Sequence, residues 1–236
     1  MVPCLDLVNH ATDANSSYEP TNDSDVVLLL QPKQRIEVGE EISISYGPNK
    51  SAAEMLFSYG FIPEDLQSDS LVLALHPVPD DPLGRAKAAA FSGAPVARIS
   101  AEGDMIQWSS PFLFLMCLNE EDGLEFKTLE QADGGQGQLQ VFWQGTDVTG
   151  STEDFQEYAS QHPLKDVFAL RAVALLQDRV LEQLGRIHTS QGAVEAWGDA
   201  GHQIEFTQTV GQLRSRESVL LEATVGLLEA QVRCHA

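Results

Sequence analysis

The sequence has 236 residues, 43% of them hydrophobic, and its 35 acidic residues outnumber 14 basic ones to give a formal net charge of −21. This composition excludes a largely disordered chain and is typical of a globular protein with a real core. A surface this negative argues against direct nucleic-acid binding and suits a basic protein partner, although acidity that only keeps the protein soluble explains the charge equally well.

Cysteine and histidine show no pattern that suits a metal centre. The three cysteines, Cys4, Cys117 and Cys234, lie far apart without a CxxC pair, and no histidines pair at metal-ligand spacing. An odd number of cysteines fits reduced thiols, and no apolar run reaches membrane-spanning length. We therefore predict a protein without metal or membrane segment in the cytoplasm or nucleus. A plastid stays open because the native N-terminus need not be Met1.

Two short strands are predicted near the start of the chain. The apolar run Val26–Leu30 is bounded by loop residues and predicts a buried strand. Residues 41–46 alternate, with Ile42, Ile44 and Tyr46 facing one way, and predict a half-buried strand.

A short helix is predicted directly after these strands. Ser51 and Glu54 form a capping box that would satisfy the first free amides of this helix. Gly60 supplies the left-handed residue that ends the helix after Tyr59.

From residue 63 onward the chain changes character. One strand is predicted at residues 71–75, followed by a mainly helical region. Within that region, residues 123–133 form a short amphipathic piece, and the glycine cluster at residues 134–137 begins a linker that reaches Ser151. Helices are predicted at residues 82–90, 111–119, 162–185 and from about 203 almost to the end.

The two long helices carry apolar stripes that are typical of core packing. In the first, Val167, Leu170, Ala174 and Leu181 define the stripe, with Phe168 and Leu175 beside it. In the second, the seam consists of Leu221, Val225, Leu228 and Val232. We predict that these helices pack antiparallel.

Three motifs carry the functional hypothesis, although each alone has an ordinary structural explanation. The pair Asn9-His10 suits a loop held by side-chain hydrogen bonds. Tyr46, at the end of a strand, suits a core aromatic residue, and Tyr59 suits simple packing.

Together, in this order and spacing, the motifs resemble the C-terminal half of a SET domain. They are Asp6-x-x-Asn9-His10, the strand that ends at Tyr46-Gly47, and Ser58-Tyr59-Gly60-Phe61. The likeness is greatest to the Rubisco large-subunit lysine methyltransferase class. It implies an α+β fold, with a partial, β-rich SET domain at residues 1–62 and a mainly α-helical substrate-binding lobe at residues 63–236. Because the N-terminal half of a SET domain is absent before these motifs, we expect a truncated form.

The resemblance implies that S-adenosylmethionine is the cofactor. The segment that contains Asp6, Asn9 and His10 looks like the one that lines the cofactor site in this family. Tyr46 looks like the catalytic tyrosine and, with its hydroxyl near the transferring methyl group, also like a cofactor-binding residue.

The resemblance also implies a protein substrate. Tyr59 and Phe61 are the substrate-binding residues that it implies. Tyr59 looks like the aromatic residue that shapes the channel for the target side chain, and Phe61 looks like a neighbour that packs against the cofactor or the core. The expected target is a lysine in a basic segment, and the sequence predicts no oligomeric state. Two alternatives stay open: a histidine-methylating relative, and a non-catalytic module whose acidic helical lobe docks a basic protein.

Overall fold

A computed structural model describes residues 4–22, 25–32, 35–66, 68–103, 105–129, 138–199 and 204–235. The chain divides into two compact units, Met1–Asp69 and Ser70–Ala236. Strands and helices occur in both, which confirms the predicted α+β class. The boundary predicted after residue 62 lies in the polar link that precedes the observed division.

The first unit contains a small sheet and one helix. The sheet has the strand order β1-β4-β2-β3, in which β1 and β2 both run parallel to β4 and β3 pairs antiparallel with β2. Its elements are β1 Asn9–His10, β2 Ser16–Pro20, β3 Val26–Leu30, β4 Ser43–Ile44 and α1 Ala52–Tyr59.

Strand β3 is where it was predicted, but the expected burial is wrong. Leu30 is 54% exposed, and Val27, Leu28 and Leu29 are also exposed. The strand lies at the edge of the sheet, where only β2 pairs with it. A continuous apolar run indicates a strand that can be buried on both faces. Whether it is buried depends on which other elements pack against it, and the run itself does not specify them.

The strand before Tyr46 is shorter than predicted, whereas the helix after it is confirmed. Only Ser43–Ile44 forms a ladder, and Ile44 is buried while Ile42 is exposed. In α1, the Ser51 hydroxyl accepts from the Glu54 amide at 3.2 Å, and the Glu54 carboxylate accepts from the Ser51 amide at 2.8 Å. Gly60 ends the helix at φ 85°, as the left-handed cap requires.

The second unit contains two three-stranded sheets and six α-helices within the described residues. The strands of the first sheet are β5 Ser68–Ala74, β6 Val96–Glu102 and β7 Met105–Ser109, and those of the second are β8 Leu124–Leu129, β9 Gln138–Trp143 and β10 Thr146–Asp147. The helices are α2 Gly84–Ala90, α3 Pro111–Met116, α4 Phe155–Ser160, α5 Lys165–Thr189, α6 Gln191–Asp199 and α7 Ile204–His235.

Strands within the lobe are the main departure from the predicted helical region. The amphipathic piece at residues 123–133 contains β8, and β9 lies within the predicted linker, where it pairs antiparallel with β8. The glycine cluster at residues 134–137 lies outside the described residues. Strands β8 and β9 have only six residues each, which is too short for their apolar periodicity to distinguish a strand from a helix or a loop. Each is stabilised by pairing with the other, and the pairing cannot be seen in either segment alone.

Helices α5 and α7 pack antiparallel, as predicted. The Arg214 guanidinium, in the first half of α7, donates to the carbonyl oxygen of Ile187 and to the Ser190 hydroxyl, at the end of α5. The α7 seam is confirmed, since Leu221 and Leu228 are fully buried and Val225 and Val232 pack against the core.

The predicted stripe of α5 is wrong, although Phe168, predicted beside it, is fully buried and Leu175 packs against the core. Val167 and Leu181 are exposed, and the buried residues of this helix are Phe168, Ala172, Val173, Leu176, Val180 and Ile187. Apolar residues occur on several sides of this helix, so its periodicity allowed more than one stripe. The partner helix and the neighbouring α3 decide which one is buried.

Cys117 is a buried thiol that we expect to be chemically inert. Burial raises its pKa to about 12, against the opposing effect of the nearby Arg171 and Lys87 charges. The thiolate is the reactive form, so in a Cys4→Ser/Cys234→Ser background labelling by a disulfide reagent at pH 8 should proceed only through unfolding. Labelling at the rate of a free thiol would contradict this assignment. The exposed Cys4, retained as the only cysteine, provides the fast control.

The same burial affects stability at high pH. The unfolded thiol ionises near the ordinary pKa of 9.0, whereas the folded thiol stays protonated up to about 12. The unfolded state therefore binds fewer protons across this interval, and the contribution of Cys117 to stability falls as the pH rises above 9.0.

Within the described ranges, none of the helices has the length and apolar character needed to span a membrane.

Candidate active site

The Asn-His segment and the strand that leads to Tyr46 lie side by side. Strand β1 runs parallel to β4, with Asn9 opposite Ser43 and His10 opposite Ile44. The Ala11 amide extends the contact by donating to the Ile44 carbonyl oxygen at 3.1 Å. Backbone pairing thus brings together two motifs that are far apart in the sequence.

Side-chain hydrogen bonds also connect the segments next to β1 and β4. The Asn9 amide nitrogen donates to a Glu41 carboxylate oxygen at 2.5 Å. Asn15 acts as a clamp, because its side-chain oxygen accepts from the Ser43 amide at 2.9 Å and its nitrogen donates to the Glu41 carbonyl oxygen at 2.8 Å. These bonds hold the segment before β4 against the loop that follows β1.

Two hydrogen bonds place Tyr46 against the Asn-His segment. The Tyr46 backbone amide donates to His10 Nδ1 at 3.2 Å, so a neutral imidazole carries its proton on Nε2. The Tyr46 hydroxyl donates to the Val8 carbonyl oxygen at 2.8 Å. The phenol is therefore fixed at both its backbone and its tip, with the Val8 to His10 segment beneath it.

Three rings lie around Tyr46, and we call the four residues the aromatic cluster: His10, Tyr46, Tyr59 and Phe61. The ring centroids of Tyr46 and Tyr59 are 4.4 Å apart, and those of His10 and Tyr46 are 5.2 Å apart. Phe61 lies 6.0 Å from His10 and 6.4 Å from Tyr46, edge-on to the latter. These separations are typical of favourable ring pairs.

The cluster is open on one side. Tyr59 is 42% exposed and Phe61 is 37% exposed, while His10 and Tyr46 are half-buried. The polar groups of the cluster are the Tyr46 hydroxyl, which is bonded to the Val8 carbonyl oxygen, and His10 Nε2, and its exposed apolar faces are those of Tyr59 and Phe61. Such a site would accept a side chain whose stem is apolar and whose tip is polar.

The structure brings together five of the six residues singled out from the sequence. Asn9, His10 and Tyr46 are joined through β1 and β4, and Tyr59 and Phe61 stand beside Tyr46. Asp6 is the sixth. It lies in an exposed 3-10 turn, Leu5–Leu7, and among the described residues no hydrogen bond or ion pair ties its carboxylate to the cluster.

Three residues at the site were not identified from the sequence as site residues. Glu41 holds Asn9, Asn15 clamps β4, and the Lys50 ammonium lies 5.7 Å from the Tyr59 ring centroid. For Glu41 and Asn15 the sequence offers one indication, because both are polar residues next to strands and can form hydrogen bonds between them. Lys50 had no such signal, since a lysine before a helix cap is ordinarily a solvated residue.

Across the described part of the chain, no group of three or more histidine, cysteine, aspartate or glutamate residues is arranged to hold a metal ion.

Sequence comparison relates this chain to two curated proteins, although no family model matches it. It is 31% identical over 181 residues to SET domain-containing protein 8 of Schizosaccharomyces pombe, which covers 75% of this chain and 41% of that protein. It is 26% identical over 196 residues to the chloroplastic ribulose-1,5 bisphosphate carboxylase/oxygenase large subunit N-methyltransferase of Pisum sativum, covering 78% of this chain and 39% of that protein. The chain therefore spans about two fifths of the length of the curated relatives that it matches.

Structure comparison agrees on the fold. A structure of Rubisco LSMT bound to AdoMet matches all of this chain with a TM-score of 0.58 and 18% identity, and the match covers 51% of that chain. The SET domain of LSMT bound to lysine and AdoHcy matches with a TM-score of 0.60, at the same identity and coverage.

Proposed function

Because this chain is related in sequence and fold to SET-domain proteins of the Rubisco large-subunit methyltransferase class, we propose that it is part of a protein-lysine N-methyltransferase that uses S-adenosylmethionine. The observation that carries the proposal is the anchored Tyr46. Its hydroxyl bonds to the Val8 carbonyl inside the aromatic cluster, directly beside Asn9 and His10.

The donor set at β1 fits this cofactor. Asn9 is exposed and offers its side-chain oxygen, since only its nitrogen is bonded to Glu41. His10 offers Nε2, because Nδ1 is occupied by the Tyr46 amide. Hydrogen-bonding groups of this kind, next to the ring faces of His10 and Phe61, suit an adenine ring and an amino-acid end. Asp6 belongs to this set by the family resemblance alone.

S-adenosylmethionine, when bound, would supply a methyl group that is already activated on a sulfonium sulfur. The contribution of Tyr46 is then positional and electrostatic: its fixed hydroxyl presents a dipole at the place where the target amine would align. Tyrosine suits this task because it is rigid, apolar on its faces and polar at its tip.

The target amine has to be neutral to act as a nucleophile, whereas free lysine has a pKa of about 10.4. Tyr59 and Phe61 form the wall through which the target side chain would enter, and their apolar faces remove water from it. Desolvation lowers the pKa of an amine and so favours the neutral form.

The acidic charge of the chain supports a basic protein segment as the partner. With a net charge of −21, long-range attraction would bring a lysine-rich surface to this protein. A cytoplasmic or nuclear location is part of the proposal.

Titration calorimetry with S-adenosylmethionine tests the cofactor assignment. We expect Asn9→Ala to weaken binding by about tenfold, the worth of one good hydrogen bond. Asn22→Ala is the matched control, because Asn22 is an exposed asparagine in the loop before β3. Tyr46→Phe should bind the cofactor nearly as the parent chain does, since only the tyrosine hydroxyl is removed.

The same titration separates the proposed enzyme from its main alternative. A folded chain that does not bind S-adenosylmethionine but does bind a basic protein would be a non-catalytic docking module. If the cofactor binds, mass spectrometry of matched peptides that carry lysine or histidine decides between a lysine-methylating enzyme and a histidine-methylating relative.

A further inference from the structure

Lys50 is the cation of the aromatic cluster. It directly precedes Ser51, the N-cap of α1, and its ammonium lies 5.7 Å from the Tyr59 ring centroid. The side chain is half-buried, and among the described residues no carboxylate forms an ion pair with it. In a chain with a net charge of −21, a lysine held against a tyrosine ring without an acidic partner requires an explanation.

The backbone next to Tyr46 makes room for the stem of this lysine. Gly47 has a φ of 140°, and a Cβ added there would lie 3.1 Å from Lys50 Cε and 3.2 Å from Cγ. The aliphatic stem therefore lies over Gly47, which follows Tyr46 directly. This path delivers the ammonium to Tyr59, whose ring is 4.4 Å from that of Tyr46. The cation is thus positioned by the same turn that ends the Tyr46 strand.

Desolvation by the ring cluster is not the only effect on the substrate amine. Aromatic faces also attract ammonium groups, so the rings of Tyr46, Tyr59 and Phe61 alone would still let a charged lysine compete with a neutral one. Methyl transfer needs the neutral amine. A positive charge fixed beside the rings repels an incoming cation and leaves a neutral amine unaffected.

We propose that Lys50 is a specificity-determining residue that excludes cations from the aromatic cluster and thereby selects the neutral form of the target amine. This inference rests on the proposed function, because it assigns the cluster as the entrance for the target side chain. It adds a role for Lys50 that is electrostatic and acts before any chemical step.

The test compares binding of a permanent cation with binding of a neutral side chain of similar length. The probes are N-acetyl-glycyl-trimethyllysyl-glycine amide and the same peptide with norleucine in place of trimethyllysine. Lys50→Met keeps the length of the stem and removes the charge, and Lys50→Arg keeps the charge. Lys165→Met is the matched control, since Lys165 is exposed in the second unit.

We expect the Lys50→Met chain to bind the trimethyllysine peptide about tenfold more tightly than the parent chain, as for one partly screened charge repulsion. Binding of the norleucine peptide should change by less than about twofold. Lys50→Arg and Lys165→Met should behave as the parent chain does. Equal tightening of both peptides, no change for either, or no binding of either peptide by any variant would overturn the proposal.

The Lys50 contact can be tested without altering the lysine. The ring current of Tyr59 should shift the ε-methylene proton signal of Lys50 upfield in NMR spectra, and Tyr59→Leu should remove this shift. A random-coil signal in the parent chain would overturn the proposal.

Titration of the same samples with S-adenosylmethionine separates the proposed function from the proposed role of Lys50. If the parent chain does not bind S-adenosylmethionine, the proposed function is wrong. If Lys50→Met binds S-adenosylmethionine as the parent chain does and its affinity for the trimethyllysine peptide is unchanged, only the role of Lys50 is wrong.

Discussion

Replacing Asp81 by alanine is expected to lower the free energy of unfolding by about 3–5 kcal/mol, because it leaves a buried ammonium without its counter-charge. Lys87 is 2% exposed, and its Nζ donates to the Asp81 carboxylate at 2.6 Å and to the Met116 carbonyl oxygen at 3.0 Å. Asp81 also accepts from the Leu83 amide at 2.9 Å, so it anchors the turn before α2. Urea denaturation followed by circular dichroism measures the loss.

The double variant Asp81→Ala/Lys87→Met is the control for this prediction. Methionine keeps much of the volume of the lysine stem and removes the charge that alanine would strand. We expect the double variant to be more stable than Asp81→Ala alone, since paired removal of a buried ion pair is often nearly neutral. The single variant Lys87→Met completes the cycle. If the stability loss of the double variant equals the sum of the losses of Asp81→Ala and Lys87→Met, the two residues are not energetically coupled and the ion-pair assignment is wrong.

Leu176→Ala is expected to lower the free energy of unfolding by about 2–5 kcal/mol, whereas Leu181→Ala on the same helix should change it by less than about 1 kcal/mol. Leu176 is fully buried in the core between α5 and its neighbours, and Leu181 is 47% exposed. The chemical change is identical in the two variants, and alanine is a good helix former in both. Only burial distinguishes them.

This pair of variants also decides which face of α5 packs inward. Leu181 lies on the stripe that the sequence pattern favoured, and Leu176 lies on the stripe that the structure buries. The same urea titration applies. A larger loss for Leu181→Ala would mean that the helix is rotated and that the observed core is wrong.

Local signals in the sequence were sufficient for several elements. The capping box and Gly60 determined both ends of α1, because each involves hydrogen bonds between residues only a few positions apart. The α7 seam was readable because one stripe clearly dominates that helix. For α5, with apolar residues on several sides, the sequence pattern favoured a stripe whose Val167 and Leu181 are exposed in the structure.

The candidate site also has a part that the sequence predicted and a part that only the structure shows. Asn9, His10, Tyr46, Tyr59 and Phe61 could be named from motifs and their order, and the fold brings these five together. Their prediction rests on the resemblance to the SET family and not on geometry. The same resemblance predicted Asp6 as a site residue, but among the described residues the structure shows no contact between Asp6 and the aromatic cluster.

The sequence by itself determined which residues belong to the three motifs, the α+β class, and the helices whose caps and periodicity are local. Tertiary structure alone decided that Val8 holds the Tyr46 hydroxyl, that Glu41 holds Asn9, and that Lys50 lies over Tyr59. It also decided that strand β3 is exposed. The physical reason is that caps and stripes arise from neighbours along the chain, whereas these contacts and exposures depend on which distant backbone lies beside each residue, and no local pattern encodes that.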